Sequence, residues 1–105
     1  RAPIDLGTRM PAYIVSTVRM SDPVRFKTYM DGIAGLAEEC GGKYVVRGPV
    51  KAVLEGDSPA DERVVVVEFA DEAAVRAYVE HPRYVAAKQH RIGAGTVDLR
   101  LLVTP

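Results

Sequence analysis

The chain has 105 residues, of which 48% are apolar and 27% charged, a size and balance that suit one core in the common domain range of roughly 50–200 residues. Lys plus Arg and Asp plus Glu come to 14 each, so the formal net charge is zero; nucleic acid is then a poor candidate for the main partner, since phosphate binding shows itself as a basic excess or stripe. No apolar run approaches the roughly 20 residues that a membrane-spanning helix needs.

Residues 1–10 hold Pro3, Gly7 and Met10 without periodicity and are expected to form a loose arm, which leaves 11–105 as a single domain. The arm lacks the apolar segment of a signal peptide, and a cytoplasmic location is the expectation. Residues 12–20 are rich in β-branched side chains and read as a strand. Ser21, Asp22 and Pro23 then open a helix, a capping residue standing directly before a proline suited to the first helical position. Phe26, Met30, Ile33, Ala37 and Cys40 form its apolar stripe, widened by Tyr29 and Leu36, and Gly41-Gly42 stops it.

Residues 43–47 are a second strand, interrupted by Gly48-Pro49, and 50–55 are expected to continue it after a bulge. A polar turn over 56–62 leads to the third and most apolar strand, 63–69. Asp71 can cap a second helix with Ala74, Val75, Tyr78 and Val79 on its inner stripe, and Pro82 is expected to interrupt it. Tyr84 to about Ile92 reads as a further short helix, released at Gly93 and Gly95, and 97–103 alternate as a fourth strand. The order β-α-β-β-α-β is the α+β, ferredoxin-like arrangement, a four-stranded antiparallel sheet with helices on one face.

Such a sheet should be polar on its other face. Val64, Val65, Val66 and Val67 do not alternate, and Tyr13-Ile14-Val15 and Tyr44-Val45-Val46 are apolar on both sides. A chain this small has nothing left to cover the second face, so the pattern predicts a homodimer, sheet against sheet.

Candidate chemistry is sparse. His81 precedes Pro82 at a helix junction; as a functional residue it is a general acid or base, and as a structural one a helix-end or loop side chain. His90 lies in a polar stretch and reads as a surface residue. No cluster has metal-ligand spacing, no nucleophile elbow occurs, Ser16 and Thr17 read as strand residues, and Cys40, the only cysteine, falls in a helix stripe where an inert thiol is commoner. Arg47 and Glu68 lie inside apolar strands, where an isolated charge is costly. They pair with each other, face solvent at an edge, or line a cavity, with Arg91 joining them if its helix lies over the mouth. Five of the seven aromatics are tyrosines, Tyr13, Tyr29, Tyr44, Tyr78 and Tyr84; a ring with a polar tip suits amphipathic packing and equally a pocket for an oxygenated aromatic ligand.

Asp22-Pro23, Tyr29, Gly41-Gly42-Lys43-Tyr44-x-x-Arg47-Gly48, Leu54-Glu55-Gly56-Asp57, Val66-x-Glu68-Phe69, Ala74-x-x-Ala77-Tyr78 and Pro82-x-Tyr84 followed by Arg91 resemble, in that order, the bacterial family called domain of unknown function 1330. The resemblance runs from Pro11 to Val103 and implies a dimeric α/β barrel, two ferredoxin-like chains packed through their sheets with a pocket in each. Wider relatives of that superfamily include cofactor-free monooxygenases, polyketide cyclases, lactone isomerases and haem enzymes, which are associations of fold. Family members often carry a small polar residue where this chain has His81.

The resulting expectation is a homodimeric enzyme acting on a small apolar or aromatic metabolite without metal or organic cofactor, by proton transfer of the isomerase, cyclase or lactone type. His81 serves as acid or base and Tyr84 orients the substrate. Arg47 or Arg91 stabilises an enolate or carboxylate, with Glu68, Tyr29 and Tyr44 completing the binding set. The alternatives are a protein that binds such a metabolite without chemistry, and a structural dimer whose pocket is vestigial.

Overall fold

The computed structural model describes residues 10–104; the expected arm thus lies, apart from Met10, outside the described residues, as does Pro105. Four strands, β1 (Ala12–Met20), β2 (Lys43–Pro49), β3 (Arg63–Phe69) and β4 (Gly95–Val103), form one sheet in the order β2-β3-β1-β4. Every neighbouring pair is antiparallel. This is the ferredoxin-like α+β fold, with the two strands adjacent in sequence, β2 and β3, paired at one edge.

The inward phase of β1 carries Ala12, Ile14, Ser16 and Val18, opposite Phe69, Val67, Val65 and Arg63 on β3. Ala12, Ile14, Val67 and Phe69 enter the main core, together with Leu36, Val75, Tyr78 and Tyr84 from the helices. The valine run of β3 divides by the period of the strand: Val65 and Val67 turn inward, whereas Val64 and Val66 share the outer face with Tyr13, Val15 and Thr17. None of those outer residues belongs to either core cluster. The doubly apolar strands therefore correspond to a sheet with an open apolar face.

Helix α1 (Pro23–Gly32) begins as its sequence indicates, with Asp22 Oδ1 accepting from the Arg25 amide at 3.1 Å. The helix expected to run on to Cys40 instead ends at Gly32, and a separate turn of helix, α2 (Leu36–Glu39), succeeds it. Two glycines explain the break. A Cβ at Gly32 would stand 2.8 Å from Ala87 Cβ, so its absence lets the end of α1 close on the helix that carries Ala87, and Gly35 takes the left-handed φ of 78° that stops a helix. Helix α3 (Glu72–Val79) is capped by Asp71, whose Oδ1 accepts from the Ala74 amide at 3.0 Å.

Pro82 does not merely interrupt this helix. It occupies the first position of α4 (Pro82–Lys88), which passes into a 3₁₀ turn over Gln89–Arg91. Residues 50–55 do not extend β2 as expected; the Val50 amide instead bonds to the Glu62 carbonyl at 2.8 Å, closing the loop at its base. Among the described residues no helix is long and apolar enough to cross a membrane.

Candidate functional site

A cavity of about 410 Å³ lies between the inner face of the sheet and the helical layer, within the common range for small-ligand sites, roughly 300–1,000 Å³. Ile14, Ser16, Val65 and Val67 form its floor, Leu99 and Val97 one side, and Phe26, Tyr29, Ile33, Tyr78 and Tyr84 its roof. The roof is a row of rings. Phe26 meets Tyr29 at 5.3 Å, Tyr29 meets Tyr84 at 6.4 Å and Tyr84 meets Tyr78 at 5.0 Å, with Phe69 5.7 Å beyond. Most of these contacts are tilted or edge-on, the arrangement ring quadrupoles favour.

One guanidinium ties two of these rings together. Arg91 Nη1 donates to Tyr29 Oη at 3.1 Å and to Tyr84 Oη at 3.2 Å, and its central carbon stands 4.9 Å from the Tyr29 ring centre. Arg91 does not itself line the cavity; it holds the phenols that do. The turn bearing it is fixed from several sides. Arg25 Nη2 donates to the Ile92 carbonyl at 3.0 Å, the Ala94 amide to the Arg91 carbonyl at 2.9 Å, and the amides of Ser21 and Asp22 to the Ala94 carbonyl at 3.0 and 2.9 Å. Gly93 allows the reversal with a φ of 79°.

Burial pushes the Tyr29 phenol above its ordinary pKa, and the adjacent Tyr84 adds to the shift while Arg91 opposes it. Burial likewise raises Tyr78. Both phenols therefore stay neutral near pH 7 and can donate. An arginine has no acceptor, so the oxygens of Tyr29 and Tyr84 receive its protons, and a hydrogen bond between the two phenols also raises Tyr29, which leaves one O–H of the pair to be given elsewhere.

At the β2 edge a bulge decides the second group of residues. Lys43 stands opposite Glu68 and Tyr44 opposite Val67, but Val46 is opposite Val66 and Arg47 opposite Val65, so Val45 is the extra residue. One inserted residue reverses the phase of the strand beyond it. Without it Arg47 would share the outer face with Glu68. With it, Arg47 and Tyr44 both line the cavity, the guanidinium 4.3 Å from the Tyr44 ring centre. The bulge lies at Tyr44/Val46 and not at Gly48-Pro49, where the glycine and proline suggested a break.

Arg47 and Glu68, for which a pair is one of three readings of the sequence, thus stand on opposite faces of the sheet and do not pair. Glu68 is on the open face of the sheet, where Tyr13 Oη donates to its Oε2 at 3.0 Å. That contact raises the Tyr13 phenol, whose proton the carboxylate holds. His81 is also outside the residues lining the cavity. It is the N-cap of α4, its Nδ1 accepting from the Arg83 amide at 3.1 Å, and Arg83 in turn ties the helix to Glu39 Oε2 at 2.9 Å and to the Ala34 carbonyl at 2.9 Å. Of the seven residues singled out from the sequence, Tyr29, Tyr44, Arg47 and Tyr84 line one cavity, Arg91 supports two of them, and His81 and Glu68 stand apart.

Ser16, Glu38 and Arg63 also line the cavity, although the sequence did not single them out as site residues. For Ser16 a signal exists: it is the one polar residue in the inward phase of β1, between Ile14 and Val18. Among the described residues no group of three or more His, Cys, Asp or Glu stands together as a metal site. Cys40 is half-buried against the main core.

A family model, Domain of unknown function (DUF1330), matches residues 11–104. The chain is a member of the DUF1330 family. Among solved structures, the DUF1330 chain is similar to a protein of unknown function from Rhodopseudomonas palustris, with 22% identity over 95% of this chain and 88% of that one and a TM-score of 0.75. It is also similar to a cofactor-independent oxygenase from Streptomyces nogalater, with 14% identity, 91% and 94% coverage and a TM-score of 0.62. A dimeric ferredoxin-like protein of unknown function from Jannaschia sp. CCS1 gives 22% identity, 86% and 97% coverage and a TM-score of 0.62. At these identities the likeness is one of fold. No curated protein matches the chain.

Proposed function

We propose that this DUF1330 protein is a homodimeric enzyme that binds a small, mainly apolar carbonyl compound, such as an oxygenated aromatic metabolite, and moves a proton next to the carbonyl without metal or organic cofactor. The observation that carries this reading is the pair of phenols, Tyr29 and Tyr84, held over an apolar cavity by one guanidinium. Each phenol oxygen accepts from Arg91, which polarises its O–H bond, and chains of such bonds strengthen one another in a low-dielectric site. A ligand carbonyl that receives the remaining proton of the pair gains stabilisation as charge builds on its oxygen, the role of an oxyanion hole. Glu38, the carboxylate lining the cavity, accepts the proton leaving carbon; its return to another carbon completes an isomerisation. Arg47 and Arg63 make the mouth net cationic, which favours an anionic or enolate-forming ligand.

His81 takes no part in this scheme, because its acceptor nitrogen is already used in capping α4. The fold likeness to a cofactor-independent oxygenase supports chemistry without an organic cofactor on this fold. A second copy covers the outer face of the sheet, where Val15, Val64 and Val66 stand on the side away from both core clusters. A likeness to a chain known as a dimer supports this.

The test uses 2-tetralone, an aromatic ketone with acidic hydrogens beside its carbonyl, followed by NMR in deuterated buffer. Exchange accelerated by about a hundredfold or more over buffer, and lost in large part in Tyr84→Phe and Glu38→Gln, is the expected result. Binding with exchange at the buffer rate would leave a binding protein in place of an enzyme, and no binding would remove the carbonyl ligand altogether.

A further inference from the structure

Two buried hydroxyls in the cavity have no hydrogen-bond partner among the described residues. Ser16, on the floor, is 6% exposed, and Tyr78, in the roof, is also 6% exposed. Both line the cavity, and among the described residues neither hydroxyl hydrogen-bonds to any protein group. This sets them apart from Tyr29 and Tyr84, whose oxygens share Arg91.

The surroundings of Ser16 make its hydroxyl conspicuous. It sits in the central strand β1, flanked by Ile14 and Val18 on the same face and opposite Val65 on β3 and Leu99 on β4. All four are apolar, so nothing beside the serine can accept or donate. Tyr78 lies against the Phe69 and Tyr84 rings, and its hydroxyl makes no hydrogen bond to them. A buried polar group without a partner costs free energy, and nearly all such groups in folded proteins are satisfied by protein or by an ordered molecule. Here the open side of each group is the cavity.

We infer that Ser16 and Tyr78 form a second polar subsite, so that the ligand carries at least two oxygen functions, one received by the Tyr29–Tyr84 pair and another by Ser16 and Tyr78. This rests on the proposed ligand site and adds the selectivity that the pair alone cannot supply. A ring with a single oxygen fills the apolar volume but leaves Ser16 and Tyr78 unmet. A ring oxygenated at two separated positions satisfies both subsites, and a site built to bond a polar group discriminates strongly against the analogue lacking it.

The experiment compares 2-naphthol with the 1,6-, 2,6- and 2,7-dihydroxynaphthalenes. Their fluorescence is read directly, because the protein has no tryptophan. The wild type should bind at least one of the diols about tenfold more tightly than 2-naphthol, as one added buried hydrogen bond implies. In the double variant Ser16→Ala/Tyr78→Phe that ratio should fall to about one. Without ligand, each single variant should melt within about 3 °C of the wild type, since no bond within the protein is lost.

The inference is overturned if the wild type prefers no diol, if a preference survives in the double variant, or if either single variant without ligand falls by more than about 6 °C, which would reveal a structural partner. Failure of all four naphthalenes to bind overturns the proposed ligand site and this subsite with it. Binding of 2-naphthol without preference for any diol overturns the subsite alone.

Discussion

Replacing Arg91 by methionine removes one guanidinium from two phenols while keeping an apolar stem of similar reach. The hydrogen bonds lost, at 3.1 and 3.2 Å, each involve a charged donor and together contribute about 2 kcal/mol, below the roughly 3 kcal/mol that two such bonds give at the low end of their range, because Arg91 is only half-buried. The ring contact at 4.9 Å adds about 0.5 kcal/mol. A loss of about 2.5 kcal/mol corresponds to a fall of roughly 10–20 °C in Tm for a domain of this size.

The same substitution made in a Tyr29→Phe/Tyr84→Phe background should cost less than about 1 kcal/mol, since only the ring contact is left to lose. Urea titrations followed by far-ultraviolet circular dichroism of the four proteins give the coupling. Equal costs in the two backgrounds would refute the reasoning, because the guanidinium would then act through something other than the phenols, and the polarised pair at the centre of the proposed chemistry would not exist.

His81→Ala should cost about 0.5–1 kcal/mol through the lost cap of α4 and change 2-tetralone exchange less than about twofold; a hundredfold loss of exchange would return the imidazole to the chemistry. Alkaline stability depends on the raised phenols. Unfolded Tyr29 and Tyr78 ionise at their ordinary value near 10 while the folded ones hold their protons, so stability is fully present below about pH 10 and falls as pH rises beyond it. Urea midpoints between pH 8 and 11 should show this fall, less steep in Tyr78→Phe; a flat or rising profile would contradict it. Val66→Arg, on the open sheet face, should convert a particle of twice 11.4 kDa to one of 11.4 kDa in sedimentation equilibrium, and a wild type that already sediments as the smaller particle at micromolar concentration removes the dimer.

The fold was readable because local and global signals agree along most of this chain. The β1 and β3 segments have the length and β-branching of strands, and Asp22 and Asp71 mark helix starts with side chains that do bond to the third amide on. The errors came where one backbone choice depends on a distant contact. Gly32 ends α1 because α4 lies against it, and nothing within residues 23–40 announces Ala87. His81 looked reactive because a histidine beside a proline is chemically conspicuous, whereas the tertiary structure uses its ring nitrogen as a cap. The site was legible as a set of residue types more than as a place. Tyr29, Tyr44, Tyr78 and Tyr84 line the cavity while Tyr13 lies on the outer face, and the clamp joins residues 29, 84 and 91 from two helices and a turn. The phase of Arg47 depends on a single bulged residue in an edge strand.

The clamp links the packing of the helices to the proposed chemistry. Tyr29 belongs to α1 and Tyr84 to α4, and the two helices approach closely because position 32 has no side chain. Arg83 fastens the start of α4 to the end of α1 and the segment beyond it, so the distance between the phenols is set before Arg91 bridges them. A substitution that loosens this contact, Gly32→Ala above all, must therefore lower stability and weaken the phenol pair together, and loss of function in such a variant says little about chemistry. Removing a single hydroxyl separates the two effects. Tyr29→Phe and Tyr84→Phe alter the clamp, whereas Ser16→Ala and Tyr78→Phe alter only the groups that face the cavity. The order in which ligand binding and folding stability respond to these four changes distinguishes a packed core that happens to be hollow from a cavity held open for a ligand.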